Sequence, residues 1–230
     1  MIEVTPKKGK KIARMKKYLI EETQDLIENE GFQAATLRKI GDQTGYNTAT
    51  IYGYFKDLNE LLLYSSVKFL KSYNSELSAK LDDKMNAVER YICVFQIFCK
   101  HTFSRPEIYY NMFYGKNGKN LGEILSDYYA LFPEELGDYD EAVNNMLRCG
   151  DIIERERYIT APIWQEGFIT QEDAHHLAEM AIFAHEYLLK ELCEHKEGAD
   201  AAAQAERYKD NMIYLLRKML LPGVECTALA

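Results

Sequence analysis

Two short amphipathic segments separated by three residues constrain the fold of this chain most. The first, Thr36 to Thr44, stops at Gly45, and the second, Thr48 to Phe55, follows Asn47. Thr36 and Asn47 are good helix N-caps, and Gly45 can adopt the left-handed backbone that ends a helix. Helices of about two turns are not stable alone, so each must pack against the other and against a neighbour. The spacing predicts a helix-turn-helix.

The second of these helices is expected to present an almost uncharged outer face. Ile40 and Ile51 face inward by their spacing, Tyr46 fills the apolar gap, and Gly41 allows a close approach. Short polar groups, a methyl and phenol hydroxyls suit base edges and phosphates in a DNA major groove, although an ordinary surface helix could carry the same residues. The outward residues are Asn47, Thr48, Ala49, Thr50, Tyr52 and Tyr54.

The charge of the chain changes sign along its length. Residues 1 to 56 hold ten Lys and Arg against seven Asp and Glu, a net charge of +3, whereas the whole chain has a net charge of -8. Residues 1 to 17 alone hold seven basic side chains against one acidic one. A basic end on an acidic body indicates contact of that end with a polyanion; the plain alternative is a solvated basic tail.

The composition favours an all-α protein. There are only 5 Pro and 13 Gly in 230 residues, and good helix formers fill the long stretches between them. We find no internal repeat and no alternation long enough for a sheet. Beyond the short pair, the predicted helices are Lys10 to Glu30, Asp57 to Lys80, Met85 to Ser104, Pro106 to Tyr114, Leu121 to Phe132, Asp140 to Trp164, Gln171 to Lys196 and Asp200 to Leu221.

The stretch from Gly31 to Asp57 resembles the DNA-binding segment of the tetracycline-repressor (TetR) family. The run Ile51-Tyr52-Gly53-Tyr54-Phe55, leading into Leu61-Leu62, is the most recognisable part, and the resemblance covers about residues 10 to 65. It implies an N-terminal three-helix DNA-binding domain, residues 1 to 56, and a larger helical ligand-binding and dimerisation domain, residues 57 to 230. Beyond residue 65 only length and helical content are similar, so no ligand follows from the resemblance.

The resemblance also implies roles for individual residues. Thr36 would approach a phosphate and Arg38 a base, while Tyr46 and Asn47 would lie at the interface. Thr48, Ala49 and Thr50 would face base edges, and the hydroxyls of Tyr52 and Tyr54 would bind phosphates. One departure is Leu58, which stands where the family usually has a phosphate-binding Lys, and Lys56 is the substitute candidate.

Signals for catalysis, cofactors or metals are weak. The sequence has no GxSxG or HExxH, and Gly118-Lys119-Asn120 lacks the rest of a P-loop. The five cysteines lack CxxC spacing, and the spacing from Glu172 to His175 suits a carboxylate-bridged metal helix only where a second copy exists. The run Glu154-Arg155-Glu156-Arg157 predicts a solvent-facing helix. We therefore expect no enzyme, no cofactor and no metal site.

Aromatic residues cluster in the acidic part of the chain between Phe103 and Trp164. Tyrosine is costly to bury without a partner for its hydroxyl, so such a group can line a polar-tipped cavity for a small, aromatic or apolar effector. The same residues can equally form core and rim. The candidates for the cavity wall are Phe103, Tyr109, Tyr110, Phe113, Tyr128 and Trp164.

A homodimer is expected, because one short recognition helix reads too few bases for useful affinity. The last two predicted helices carry apolar stripes, and the resemblance implies that they pair with their copies in a four-helix bundle. The alternative is that the stripes face only their own core. They comprise Leu177, Met180, Ala181, Ala184 and Leu188, then Met212, Leu215, Leu216 and Met219.

The sequence thus predicts a cytoplasmic transcription regulator, most simply a repressor that a small-molecule effector releases from a pseudo-palindromic DNA operator. It has no apolar run of membrane-spanning length and no apolar leader segment at its start. One alternative is a DNA-binding protein of the same shape that is controlled by a protein partner or is unliganded. A remote alternative is a helical-bundle enzyme or cofactor carrier.

Overall fold

The computed structural model describes residues 6–115, 120–194 and 200–229, with only the backbone for residues 6–8. This part of the chain is all-α, as predicted, and contains no strand. The basic side chains of Lys7 and Lys8, the segment 116–119 and the predicted end of a helix at Lys196 lie outside the described residues. The α-helices are α1 (Pro6–Glu30), α2 (Leu37–Thr44), α3 (Thr48–Tyr52), α4 (Leu58–Val67), α5 (Leu70–Lys80), α6 (Ala87–Ser104), α7 (Pro106–Phe113), α8 (Leu121–Leu131), α9 (Glu141–Arg148), α10 (Ile152–Gln165), α11 (Gln171–Glu194) and α12 (Ala201–Met219).

The turn between α2 and α3 has the predicted geometry. The side chain of Thr36 accepts a hydrogen bond from the Lys39 amide (3.4 Å), and that of Asn47 accepts one from the Thr50 amide (2.9 Å). Gly45 ends α2 in the left-handed region, with φ of 74°. A Cβ on Gly41 would lie 2.9 Å from the Tyr46 carbonyl oxygen, so the close neighbour of Gly41 is the turn itself. Local capping therefore fixes the angle between the two helices.

Helix α4 joins the first three helices to the larger part of the protein. Leu61 and Val67 are fully buried, and α4 packs against α1, α7 and α8. The Ser65 hydroxyl donates to the Ile20 carbonyl of α1 (3.3 Å), and the Tyr64 hydroxyl donates to Asp127 of α8 (3.0 Å). Movement of the larger part can reach α1 through these contacts.

Two predicted long helices are each divided in the structure. The predicted helix Asp57 to Lys80 breaks after Val67, where the Phe69 carbonyl accepts a hydrogen bond from the Tyr109 hydroxyl (3.0 Å). The predicted helix Asp140 to Trp164 breaks at Cys149 to Asp151, because Gly150 packs so closely on the backbone of Gly122 that a Cβ would clash. Asp151 then caps α10. The predicted second helix of the pair is also shorter, since α3 ends at Tyr52.

The larger part is a bundle in which α6, α10, α11 and α12 enclose the core. Helices α10 and α11 make the most extensive contact, and α12 lies on α6 and α11. Glu191 of α11 contacts Gln204 and Arg207 near the start of α12 (both 3.3 Å), which shows that α11 and α12 run antiparallel. None of the helices in the described ranges is long and apolar enough to span a membrane.

Candidate DNA-binding surface and effector cavity

Helix α3 and the turn before it form an exposed, uncharged surface. Asn47, Thr48 and Ala49 are exposed, and 46% of Tyr52 is accessible to solvent. Thr50 is partly buried, and its hydroxyl donates to Asn47 Oδ1 (3.1 Å). Only Ile51 points into the core. The predicted base-facing residues therefore lie together on one accessible face.

Positive charge flanks this surface on both sides. The side chain of Arg38, near the start of α2, is 91% exposed, and its closest acidic neighbour is Asp42 at 3.9 Å. Lys56 is exposed after α3, and its backbone amide donates to the Glu60 carboxylate. Thr36 is also exposed, although its hydroxyl oxygen caps α2.

Tyr46 and Tyr54 differ from the other candidates because both are partly buried. The Tyr46 ring packs edge to face on Tyr18 of α1, with ring centroids 6.2 Å apart. Tyr54 packs against the hydrophobic core. Both residues therefore hold the helices together as well as bordering the exposed surface.

The basic side chains of α1 divide into two groups. Lys11 and Arg14 are exposed and line an open groove with Tyr18 and Tyr46, beside the turn between α2 and α3. By contrast, the Lys16 ammonium lies 5.2 Å from the centre of the Tyr64 ring, and that of Lys17 lies 4.7 Å from the centre of the Phe132 ring. Part of the predicted basic end thus stabilises the junction with the larger part by cation–π contacts.

The six predicted cavity residues are distributed over the core instead of lining one space. Tyr128 of α8 donates to Glu135 (2.5 Å), and Tyr109 of α7 donates to the Phe69 carbonyl just after α4. Phe103 and Phe113 are buried, and Tyr110 and Trp164 are partly buried and pack against the core. None of the six lines the cavity enclosed by the bundle.

That cavity lies between α6, α10, α11 and α12. It leaves about 20 Å³ for the centres of water molecules, roughly the space of one water. Phe113 and Phe103 stand directly behind it, since Phe113 packs on Phe98 and Phe103 stacks on His185. The wall is formed by Tyr73, Tyr91, Val94, Phe95, Phe98, Met146, Ile152, Arg155, Glu156, Ile159, Ile182, His185 and Tyr208.

Two of the four residues in the charged run on α10, Arg155 and Glu156, line this cavity. The prediction of a solvent-facing run is therefore wrong for these two, whereas Glu154 is exposed. Arg155 is 3% exposed, and Glu156 Oε1 is buried without a hydrogen-bond partner. Burial raises the pKa of Glu156 to about 7, and the nearby Tyr91 hydroxyl and Arg155 guanidinium offset this only in part. The spacing of charges fits a solvated face, but α10 packs against α6, α9 and α11, and both Arg155 and Oε1 of Glu156 are buried.

His185 is a further cavity residue that the sequence did not single out. The residue is 1% exposed, and burial lowers its pKa to about 3. His185 Nε2 is hydrogen-bonded to the Thr102 hydroxyl and Nδ1 to the Tyr114 hydroxyl (both 2.8 Å). His185 thus joins α11 to the end of α6 as a neutral ring.

A short path leads from His185 to α1, which packs against α2. Thr102 and Phe103, which contact His185, lie in the last turn of α6. Arg105 follows directly, and its guanidinium pairs with Glu28 near the end of α1 (3.1 Å). A displacement at the cavity can therefore act on α1 within one helical turn.

Helices α11 and α12 expose an apolar face that shares only Met180 with the predicted stripes. Most members of those stripes, such as Leu177, Leu188 and Leu216, are buried in the core of the same chain. The exposed large side chains on these helices are Met180 (43%), Phe183 (52%), Tyr187 (55%) and Tyr214 (60%). Such a face on neighbouring helices is typical of a protein interface.

The described residues contain no cluster of three His, Cys, Asp or Glu side chains that could hold a metal ion. His175 is exposed, and the neighbouring His176 approaches Glu172 only to 3.9 Å. The spacing from Glu172 to His175 therefore lacks the further ligands that a carboxylate-bridged site requires.

Comparison with known proteins identifies the first part of the chain. Residues 19–64 match the family model described as bacterial regulatory proteins, tetR family. This range contains α2, α3, the second half of α1 and most of α4. A search of curated protein sequences finds no match.

Solved structures share the fold over nearly the whole chain. A TetR-family transcriptional regulator from Pectobacterium atrosepticum is 14% identical, with a TM-score of 0.57 over 92% of this chain and 96% of that one. A protein of unknown function from Rhodococcus sp. RHA1 is 13% identical, with a TM-score of 0.54 over 90% and 95%. A proposed tetR-family regulator from Shewanella sp. PV-4 is 11% identical, with a TM-score of 0.50 over 90% and 98%. At these identities the likeness is one of fold.

Proposed function

Since this chain belongs to the TetR family of bacterial regulatory proteins, we propose that it is a repressor which reads a pseudo-palindromic operator with α3 and leaves it when an effector binds. The observation that carries this proposal is the accessible face of α3 with Arg38 and Lys56 beside it. An uncharged helix can approach base edges closely, while flanking cations hold the phosphates. Residues 1 to 56 then form the DNA-binding domain.

The proposed contacts follow from exposure and position. Thr48, Ala49 and Thr50 face base edges, and Arg38 reaches a base or a phosphate from the start of α2. The proposed phosphate contacts come from the Thr36, Tyr52 and Tyr54 side chains, the Lys56 ammonium, and the turn at Tyr46 and Asn47. Lys11 and Arg14 of α1 extend the positive surface beside the turn.

The effector site is the cavity beside Glu156 and His185, and residues 57 to 230 form the effector-binding and dimerisation domain. Effector binding must push the walls apart, since the closed cavity has room for about one water. The movement would pass through the end of α6 to Arg105 and Glu28. A coupling of about 1 to 3 kcal/mol would weaken operator binding by roughly 5- to 150-fold.

The proposed assembly is a homodimer formed through α11 and α12. Proteins of this family bind DNA as dimers, and the face of Met180, Phe183, Tyr187 and Tyr214 is the exposed apolar surface on these helices. A two-fold axis would place two copies of α3 on successive turns of one face of the duplex.

A mobility-shift assay tests the proposal. The chain should bind DNA from upstream of its own gene more tightly than a random duplex of equal length. If it makes about 6 to 10 phosphate contacts, affinity should fall roughly 10³- to 10⁵-fold between 50 and 200 mM salt. Equal affinity for both duplexes at low salt would contradict a sequence-reading regulator.

A further inference from the structure

The proposed effector cavity holds a carboxyl group, that of Glu156, with one buried oxygen that the protein leaves unpaired. Glu156 Oε1 has no hydrogen-bond partner, and none of the described residues forms an ion pair with Glu156. A buried carboxyl oxygen without a hydrogen-bond partner lowers the stability of the folded protein. A ligand that enters the cavity and pairs with this oxygen would remove that cost.

The neighbouring Arg155 does not fill this role. Its guanidinium donates to the carbonyl oxygens of Leu147 (3.3 Å) and Cys149 (3.0 Å), which end α9. It also lies 5.2 Å from the centre of the Phe113 ring. Arg155 is thus held by the protein, whereas Oε1 of Glu156 is left available to a ligand even though the Tyr91 hydroxyl lies near the carboxyl group.

Aromatic rings surround the carboxyl group. Tyr91 packs edge to face on Phe95, and Phe95 on Tyr208, with centroids 5.3 and 5.6 Å apart. Tyr73 and Phe98 pack in the same way on the other side, at 5.6 Å. Aromatic faces attract a desolvated cation, and they also bury the apolar part of a ligand.

We propose that the effector is an organic cation, an aromatic or otherwise apolar ammonium compound, whose positive charge pairs with Glu156 while the rings of α5, α6 and α12 hold its apolar part. This rests on the proposed function, in which the cavity is the effector site. An anionic ligand would be repelled by the carboxylate, and a neutral apolar one would leave the carboxyl unpaired. Entry of the cation separates α10 from α6, which is the helix that leads to Arg105.

The ionisation of Glu156 gives the binding a characteristic pH dependence. With its pKa raised to about 7, Glu156 is mostly protonated at pH 6 and mostly ionised at pH 8. Its ionised fraction, and with it the affinity for a permanent cation, should rise roughly tenfold over this range. The groups around Glu156 do not change their protonation state between pH 6 and pH 8. Burial raises the pKa of the tyrosines and the thiol, which stay neutral, and lowers the pKa of His185 to about 3, so the ring stays neutral as well. These groups are Tyr73, Tyr91, Cys99, Tyr114, Arg155, His185 and Tyr208.

Calorimetric titration with three small probes tests the inference. Benzyltrimethylammonium should bind the wild-type chain at least tenfold more tightly than benzyl alcohol or benzoate, and only its affinity should rise from pH 6 to pH 8. Glu156→Gln should lower the affinity for the cation at least tenfold and remove the pH dependence. Glu154→Gln, an exposed position on the same helix, is the matched control and should bind like the wild type.

Several results would contradict the inference. Tighter binding of benzoate would make Arg155 the recognition group, and equal or undetectable binding of all three probes at millimolar concentration would also overturn the inference. If Glu156→Gln fails to fold, the pH dependence of cation binding to the wild type decides whether Glu156 pairs with the cation. Operator affinity is measured on the same samples: cation binding that leaves it unchanged overturns the effector role. Absence of operator binding overturns the proposed function, while the probe affinities still decide which ligand the cavity takes.

Discussion

At the scale of single residues, the proposed DNA complex would have two kinds of contact on the exposed face of α3. A phenol hydroxyl such as that of Tyr52 suits a phosphate, which carries no sequence information. A short side chain at the start of the helix, such as Thr48, can reach a base edge in the major groove. The two kinds of contact have different signatures on a panel of duplexes.

Removal of the Tyr52 hydroxyl should weaken binding to every duplex alike. Tyr52→Phe loses one hydrogen bond, so we expect a loss of about 1 kcal/mol, roughly fivefold in affinity. Thr48→Ala should instead reduce the discrimination at one base pair in each half-site, by about 1 to 3 kcal/mol. Fluorescence anisotropy with a set of single-substitution operators measures both effects.

The control is Tyr158→Phe, which removes a hydroxyl from another exposed tyrosine, on α10. It should leave every affinity unchanged. A Tyr52→Phe variant that changes the base preference, or a Thr48→Ala variant that weakens all duplexes equally, would reverse the two assigned roles.

Residues whose role is local could be predicted from the sequence, and those whose role depends on packing could not. Thr36, Gly45 and Asn47 act through hydrogen bonds and backbone angles within four residues, and each has its predicted conformation. Glu156 belongs to a run of alternating charges that usually faces solvent, yet contacts from distant helices bury its carboxyl group. Its spacing carries no signal of that burial.

At the scale of secondary-structure elements, α11 and α12 present an exposed apolar surface that suits the proposed homodimer interface. Phe183 and Tyr187 are more than half exposed on α11, and Tyr214 is so on α12. In a two-fold interface each of these side chains would be covered by the partner copy.

A charge in the centre of this face should separate the dimer. We expect Phe183→Lys to raise the dissociation constant at least a hundredfold, because an unpaired charge buried in an interface costs about 3 kcal/mol or more. The fold should persist, since Phe183 is 52% exposed in the single chain. Light scattering at micromolar concentration should then give a mass near 26.7 kDa for the variant and about twice that for the wild type.

Glu123→Lys introduces the same side chain at an exposed position of α8 and should remain dimeric. A wild-type chain that is monomeric, or a Phe183→Lys variant that stays dimeric, would place the interface elsewhere or remove it.

The existence of the helices could be predicted from sequence periodicity. The positions of their breaks could not, because the breaks depend on tertiary contacts. Leu70 to Lys80 continues the apolar pattern of α4, and nothing local marks the bend at Lys68 and Phe69. The bend coincides with the hydrogen bond from Tyr109 and the ion pair of Lys68 with buried Glu135 (3.0 Å). Both partners lie more than 35 residues away in the sequence.

At the scale of the whole molecule, the distribution of charge supports the proposal that the end carrying α3 meets DNA. The net charge of residues 1 to 56 is +3 although the whole chain has a net charge of -8. The acidic remainder is repelled by a polyanion, so electrostatics orient the molecule with α3 toward the duplex. The proposed effector cavity lies in the acidic part, so any influence of a ligand there on DNA binding would pass through the contacts of α1 and α4.

Selection of bound duplexes from a randomised pool tests the central claim most directly, since it asks whether the chain reads sequence and reads it as a two-fold pair. The account predicts an enriched sequence with two inverted half-sites whose centres lie about 34 to 36 Å apart or a multiple of that spacing. A pool that shows no enrichment, or one asymmetric site without an inverted copy, would contradict a dimeric DNA-reading regulator.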